Sequence, residues 1–175
     1  MPSTLIVFST VDGQTLKISH RIRHLLEARA HAVTLVAVDD ALQMDCSKFD
    51  KIVVGASIRY GKHRPSLYEF VAKNRDPLER VPSAFFSVSA VARKPGKDTP
   101  DRNPYFKTFT RLSRWSPPVA ATFAGKIDYS KYPLVDRLII QLIMALTQGP
   151  TDRRVAVEFT DWGAVDAFAE RVSHT

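Results

Sequence analysis

Leu5-Ile6-Val7-Phe8-Ser9-Thr10-Val11-Asp12-Gly13-Gln14-Thr15 is the stretch on which the fold turns. Its first four residues form an apolar run of strand type, and downstream Ile18, Ile22, Leu25 and Leu26 recur at helical spacing. Between strand and helix stand three hydroxyl side chains, Ser9, Thr10 and Thr15, with Gly13 for a tight backbone turn. A helix that starts here turns free N–H groups and the positive end of its dipole toward the loop. The loop can therefore hold a phosphate without any Lys or Arg. Ordinary N-capping by Ser, Thr or Asp is the other reading of the same residues, and Asp12 favours it, because a carboxylate repels a phosphate. No GxGxxG follows the strand and the chain has no GxxxxGK[ST], so neither a Rossmann dinucleotide site nor a P-loop is indicated.

Working outward, the alternation of strand and helix continues. Ala32–Val38 and Lys51–Ala56 read as buried parallel strands, Leu67, Phe70 and Val71 mark a second helix, and Ser83–Ser89 is a fourth strand. Val119–Phe123 is a fifth, but a further strand-like run, Val155–Phe159, comes only after about thirty residues more. A closing helix runs from about Asp161 through Val165, Phe168, Ala169 and Val172, with Thr160 or Asp161 as its N-cap. Such a chain predicts an α/β fold of the doubly wound class, a parallel sheet covered on both faces, with ligands bound beyond the carboxyl ends of the strands.

At 175 residues, 45% hydrophobic and 25% charged, the chain has the length and composition of one folded domain, residues 1–175. Pro95, Pro100, Pro104, Pro117 and Pro118 break up a basic loop region over about 93–118, leaving room for at most a short helix from Tyr105 to Leu112. The single cysteine, Cys46, cannot form an internal disulfide, and the opening Met1-Pro2-Ser3-Thr4 has no basic region before its apolar run. A cytoplasmic protein is expected. The net charge of +7 favours anionic contacts, although it serves solubility equally well.

Two more loops follow strand ends: Ala56-Ser57-Ile58-Arg59-Tyr60-Gly61, and Ser87-Val88-Ser89-Ala90-Val91-Ala92-Arg93-Lys94-Pro95. Small residues let backbone approach a flat ring, Tyr60 can stack on it, and backbone N–H groups can bond its polar edge. Simple loop closure explains any one of these loops, but less readily all three.

Together the loops resemble the phosphate, inner and outer flavin loops of the flavodoxin superfamily. The strings Phe8-Ser9-Thr10-x-Asp12-Gly13-Gln14-Thr15, Gly55-Ala56-Ser57-Ile58-Arg59-Tyr60-Gly61, Val91-Ala92-Arg93-Lys94-Pro95 and Thr160-Asp161-Trp162 resemble one family within it, the quinone-dependent protoporphyrinogen IX dehydrogenases of bacterial haem synthesis. The resemblance spans essentially the whole chain. It implies a five-stranded flavodoxin-like sheet with an insertion splitting the last strand, FMN as cofactor, and protoporphyrinogen IX as substrate, oxidised in three two-electron rounds with menaquinone or ubiquinone as acceptor. The cofactor-binding residues it implies are Ser9, Thr10, Val11, Asp12, Gly13, Gln14 and Thr15; Ala56, Ser57, Ile58, Arg59, Tyr60 and Gly61; and Ser87, Val88, Ser89, Ala90, Val91, Ala92 and Arg93. Arg59 and Arg93, at the ring-side loops, are the candidates for contact with substrate carboxylates or the reduced flavin. No protein general base stands out.

The insertion, about 125–154, contains Leu134–Leu146, roughly 20 Å of helix against about 30 Å of bilayer hydrocarbon, so it cannot span a membrane. Asp136, Arg137 and Gln141 share a narrow sector and the rest of the circumference is apolar, more than one core-facing stripe needs. Lys126, Lys131, Arg137, Arg153 and Arg154 flank it, as in a helix lying on an anionic membrane surface; burial or a contact between copies of the chain accounts for the pattern equally well. With the resemblance, this places the enzyme peripherally at the cytoplasmic face of the inner membrane.

His20 and His24 are spaced for a metal on one helix face, but no third ligand is suggested nearby, so they read as a solvated face and no metal is expected. The basic group Arg93, Lys94, Lys97, Arg102, Lys107, Arg111 and Arg114 suits the propionates of a porphyrinogen or merely water; without a recognised nucleic-acid module, nucleic acid is not expected. Rival readings are another FMN-dependent quinone oxidoreductase, an electron-carrier flavodoxin, which would usually be acidic, and a flavodoxin-like module that binds a partner and has lost its cofactor.

Overall fold

The computed structural model describes residues 1–175. In chain order the elements are β1 (Ser3–Ser9), α1 (Gln14–Glu27), β2 (Ala32–Ala37), the short α2 (Val38–Ala41), β3 (Lys51–Ser57), α3 (Pro65–Lys73), α4 (Arg75–Arg80), β4 (Ser83–Ser89), α5 (Pro104–Ser113), β5 (Val119–Ala124), β6 (Lys126–Asp128), α6 (Leu134–Leu146), β7 (Ala156–Glu158) and α7 (Trp162–Ser173). Five strands form one parallel sheet in the order β2-β1-β3-β4-β5, the expected doubly wound arrangement. The chain reverses its direction of travel across the sheet at β1, so the crevice between the ends of β1 and β3 is the switch point where such folds bind ligands.

The period of two along each strand divides the interior into two cores. Leu5, Val7, Ile52, Val54 and Phe85 meet Leu67, Phe70 and Phe109 from α3 and α5 on one face. Ile6, Val53, Phe86 and Phe123 meet Ile18 and Ile22 of α1 and Val165 and Phe168 of α7 on the other. Gly55 is required by this second layer: a Cβ there would lie 2.1 Å from Cζ of Phe86. Lys51 is 4% exposed at the start of β3, and its ammonium donates to the carbonyl oxygens of Val172 and Ser173. A buried cation thus closes the C-terminal end of α7, where the dipole is negative.

One expectation is corrected. The run Ala32–Val38 is not a buried strand: β2 is the sheet edge, paired on one side only, its residues half-buried or exposed, and Val38 already belongs to α2. The run near Val155–Phe159 contributes β7, which does not join the parallel sheet but pairs antiparallel with β6. The turn-off is at Gly125, whose N–H donates to Ser89 O at 3.3 Å and whose carbonyl accepts from Phe159 N–H at 3.0 Å. The α6 segment leaves and returns there, with its own small core of Ile127, Tyr129, Tyr132 and Met144.

Candidate functional site

Register brings the loops together. Ser9 pairs with Ala56, Ser57 with Val88, and Ser89 with Ala124, so β1, β3, β4 and β5 end nearly level. Beyond these ends opens a cavity of ≈ 870 Å³, walled by the first loop, the second loop, the third loop and α6. All three predicted loops contribute to it, through Thr10, Asp12, Gln14 and Thr15, through Ser57, Ile58, Arg59 and Tyr60, and through Val88, Ser89, Ala90, Val91 and Arg93.

In the first loop, Gly13 is the N-cap of α1 at φ 89, a left-handed conformation, and a Cβ there would meet nothing within 4 Å. No side chain caps α1 and no acidic residue lies in its first turn, so the ordinary-capping reading of this loop does not hold. Thr10 Oγ1 instead accepts the Gly13 N–H at 3.0 Å, shaping the turn. Ser9 and Thr15 are 2% and 0% exposed, and Ser9 Oγ and Thr15 Oγ1 have no hydrogen-bond partner. A buried hydroxyl left unpaired costs about 1–3 kcal/mol. Two of them at an uncapped helix start suit a group rich in acceptor oxygens, so these residues fit the phosphate end of a flavin nucleotide.

Asp12 is turned away from that role. Arg59 Nη1 donates to its two carboxylate oxygens at 3.1 and 3.0 Å, which neutralises the charge that would repel a phosphate. Burial raises the Asp12 pKa, opposed by the Arg59 cation beside it. The other amino group of Arg59 lies 3.5 Å from Asp136 of α6, and the guanidinium stacks 4.8 Å from the Tyr132 ring. Burial, with Asp12 nearby, pushes the Tyr132 phenol up to about 12.

The second loop is a tight hairpin closed by reciprocal Arg59 and Lys62 backbone bonds, with Tyr60 and Gly61 both at positive φ, 52 and 74. Tyr60 is 53% exposed and its hydroxyl donates to Asp136. In the third loop, Ser89 Oγ accepts the Ala92 N–H and caps the turn Ala90–Arg93. Arg93 then donates to Ala90 O at 2.7 Å and to Thr147 O and Oγ1 at 3.2 and 3.0 Å. Arg59 and Arg93, both singled out in the sequence, thus line the cavity and hold the two ends of α6.

Sequence reasoning left α6 open between a membrane surface, burial and a contact between copies, and missed that it walls the site. Ile140, Ile143 and Met144 line the cavity with Tyr132, Thr147 and Tyr105, and only Met144 of α6 is fully buried. Ile140 and Met144 follow Asp136 at i+4 and i+8 and so share its helix face, and that spacing was the available signal. The outer face leaves Leu134, Val135, Leu138, Leu142 and Leu146 50–77% exposed. Gln14 also has a role that its loop position concealed: Nε2 donates to Glu158 at 2.7 Å and to Thr160 at 2.9 Å, tying the start of α1 to the returning strand. His20 and His24 are both exposed on α1. Of the basic group, Lys97, Arg102, Lys107, Arg111 and Arg114 face solvent, and only Arg93 reaches the cavity.

Against known proteins, the Flavodoxin domain family matches residues 5–154. The Escherichia coli (strain K12) protein named protoporphyrinogen IX dehydrogenase (quinone) is 41% identical over 98% of this chain and 94% of its own length. A Leishmania major protein of the same name is 38% identical over 96% of this chain and 73% of its own. Among solved structures, a flavodoxin, WrbA-like protein from Agrobacterium tumefaciens superposes with a TM-score of 0.56 over 99% of this chain and 96% of that one, at 13% identity, a likeness of fold.

Proposed function

Because the chain belongs to the flavodoxin-domain family, and within it to the quinone-dependent protoporphyrinogen IX dehydrogenases, we propose that it oxidises protoporphyrinogen IX to protoporphyrin IX with FMN as cofactor and a membrane quinone as acceptor. The near-complete coverage by relatives of that name carries this reading, and the orphaned Ser9 and Thr15 hydroxyls support it physically. Six hydrogens leave the porphyrinogen and three quinones, menaquinone or ubiquinone, each take up two. When bound, FMN supplies the two-electron chemistry that no protein side chain can.

The protein's part is holding and shielding. Ser9, Thr15 and the first N–H groups of α1 hold the phosphate, with Thr10 shaping the turn and Arg59 screening Asp12. Residues 57–60 and 88–91 flank the ring, and Ile140, Ile143 and Met144 exclude water from it. Arg59 and Arg93 present cationic edges on the cavity wall for substrate propionates.

The outer face of α6 supplies the route to the quinone. No helix is long and apolar enough to cross a membrane. Leu134, Val135, Leu138 and Leu142 are nevertheless open to solvent, with Lys131, Arg153 and Arg154 exposed beside them, a combination suited to lying in an anionic lipid interface at the cytoplasmic face of the inner membrane. The deciding experiment is anaerobic reduction of the bound flavin. Protoporphyrinogen IX should bleach its visible absorbance, and NADH and NADPH should not; bleaching by a nicotinamide alone would replace this reading with that of a nicotinamide-dependent quinone reductase.

A further inference from the structure

Beside the cradle lies a second cavity, of ≈ 690 Å³, that shares Ile58 and Tyr105 with it and is otherwise walled mainly by His63, Tyr68, Thr108 and Leu112. His63 is 4% exposed, and its Nε2 lies 3.0 Å from Ser87 Oγ. Ser87 is 1% exposed and its hydroxyl has this one partner. A buried hydroxyl has to place its proton somewhere. The tautomer in which it donates to Nε2 meets that demand and keeps the imidazole proton on Nδ1. That N–H meets no protein acceptor and is not sealed in the interior, which leaves it the cavity. Edge contacts with Tyr68, Phe85 and Phe109, at centroid distances of 6.4, 5.9 and 5.6 Å, hold the ring in this orientation. Burial lowers its pKa to about 4, so at neutral pH it is an uncharged donor.

The cavity therefore offers one directed N–H in a wall of aromatic and aliphatic groups. Lys62 is the one charged residue in its lining. A porphyrinogen, with two propionates, calls for two cations; a neutral ring bearing carbonyl oxygens calls for apolar walls and a donor. Resting on the function proposed above, we infer that this second cavity binds the quinone headgroup, with a ring carbonyl accepting the Nδ1–H of His63. Acceptor and porphyrinogen then occupy adjacent sites separated by Ile58 and Tyr105, and both can be bound at once.

Menadione, a naphthoquinone without an isoprenoid tail, is the probe, titrated into oxidised FMN-loaded protein with ¹⁵N-labelled histidine. The His63 ring signals should shift and saturate. His63→Phe combined with Ser87→Ala should weaken binding about tenfold, the scale of one lost hydrogen bond, and Thr108→Trp, which fills the cavity, should abolish it. FMN content and the visible flavin spectrum should match the parent in both variants, so that binding is read on folded, loaded protein. Saturating protoporphyrin IX should leave menadione bound. Unchanged menadione affinity in both variants, or its full displacement by protoporphyrin IX, overturns the assignment. The parent protein separates the two proposals: if protoporphyrinogen IX fails to reduce its flavin while menadione binding responds to the variants as stated, the dehydrogenase reading falls and the quinone site stands.

Discussion

Arg59 Nη2 lies 3.5 Å from Asp136 Oδ2, and both side chains are only 18% exposed. The pair joins the second loop to the inserted helix, while the other amino group of Arg59 holds Asp12 in the first loop. The first loop, the second loop and the helix over the cavity are thus tied at one guanidinium. Asp136→Asn should loosen the cover and spare the cradle. The local loss is about 1 kcal/mol, the upper end for partly exposed pairs. Hydrogen exchange over 134–146 should accelerate several-fold with FMN affinity within twofold of the parent. Equal exchange rates would mean that Tyr60 and Arg93 hold the helix without this pair.

Ser9 and Thr15 carry the second prediction. Each hydroxyl bonded to a charged phosphate is worth about 1.5–3 kcal/mol, so Ser9→Ala with Thr15→Val should weaken FMN binding by a hundredfold or more. The same pair of changes removes two unpaired buried hydroxyls from the flavin-free protein, whose melting temperature should hold or rise. Riboflavin, which lacks the phosphate, should bind parent and variant alike. A variant that binds FMN as tightly as the parent would place the phosphate elsewhere.

Replacing Leu138 and Leu142 by Ser should reduce sedimentation with anionic liposomes and activity with long-chain quinone, while preserving FMN content and turnover with menadione. Both residues are at least 50% exposed, so neither core depends on them. Binding of the parent should weaken with salt, because each basic residue near an anionic surface contributes about 1 kcal/mol. A parent protein that stays in the supernatant at low salt ends the membrane reading.

His63 should give stability a pH dependence of definite sign. Its pKa falls from 6.5 in the free side chain to about 4 in the folded protein because burial penalises the charged form. Between those values the unfolded chain binds the proton and the native one does not, so acidification favours unfolding. The contribution is fully present above pH 6.5 and is lost as pH drops toward 4, about 3 kcal/mol in all. Urea unfolding of the parent and of His63→Phe with Ser87→Ala at pH 7 and pH 4.5 isolates it: the difference in stability between the two should shrink in favour of the variant at the lower pH. A constant difference would place a charged imidazole in the fold.

The chain order of strands and helices was legible in the sequence because strand and helix impose their periods locally. Val53 and Val54 must face opposite sides of any sheet, and Ile18 and Ile22 must share a helix face whatever they pack against. The three loops that line the cavity were legible for a related reason: in a doubly wound sheet they follow strand ends, and those can be counted along the chain. What the sequence could not carry were relations between distant residues. That β2 is an edge strand depends on which neighbours the sheet supplies, and that β7 turns back onto β6 depends on Gly125 bonding to both Ser89 and Phe159. Gly55 is required only because the ring of Phe86 lies across it. Arg59 and Arg93 could be named as cations near the site, but their carboxylate and carbonyl partners lie as far off as Asp136 and Thr147. Local periodicity determined the elements and the loops between them; long-range packing alone decided that α6 walls the cavity and that the buried His63 ring lines a second one.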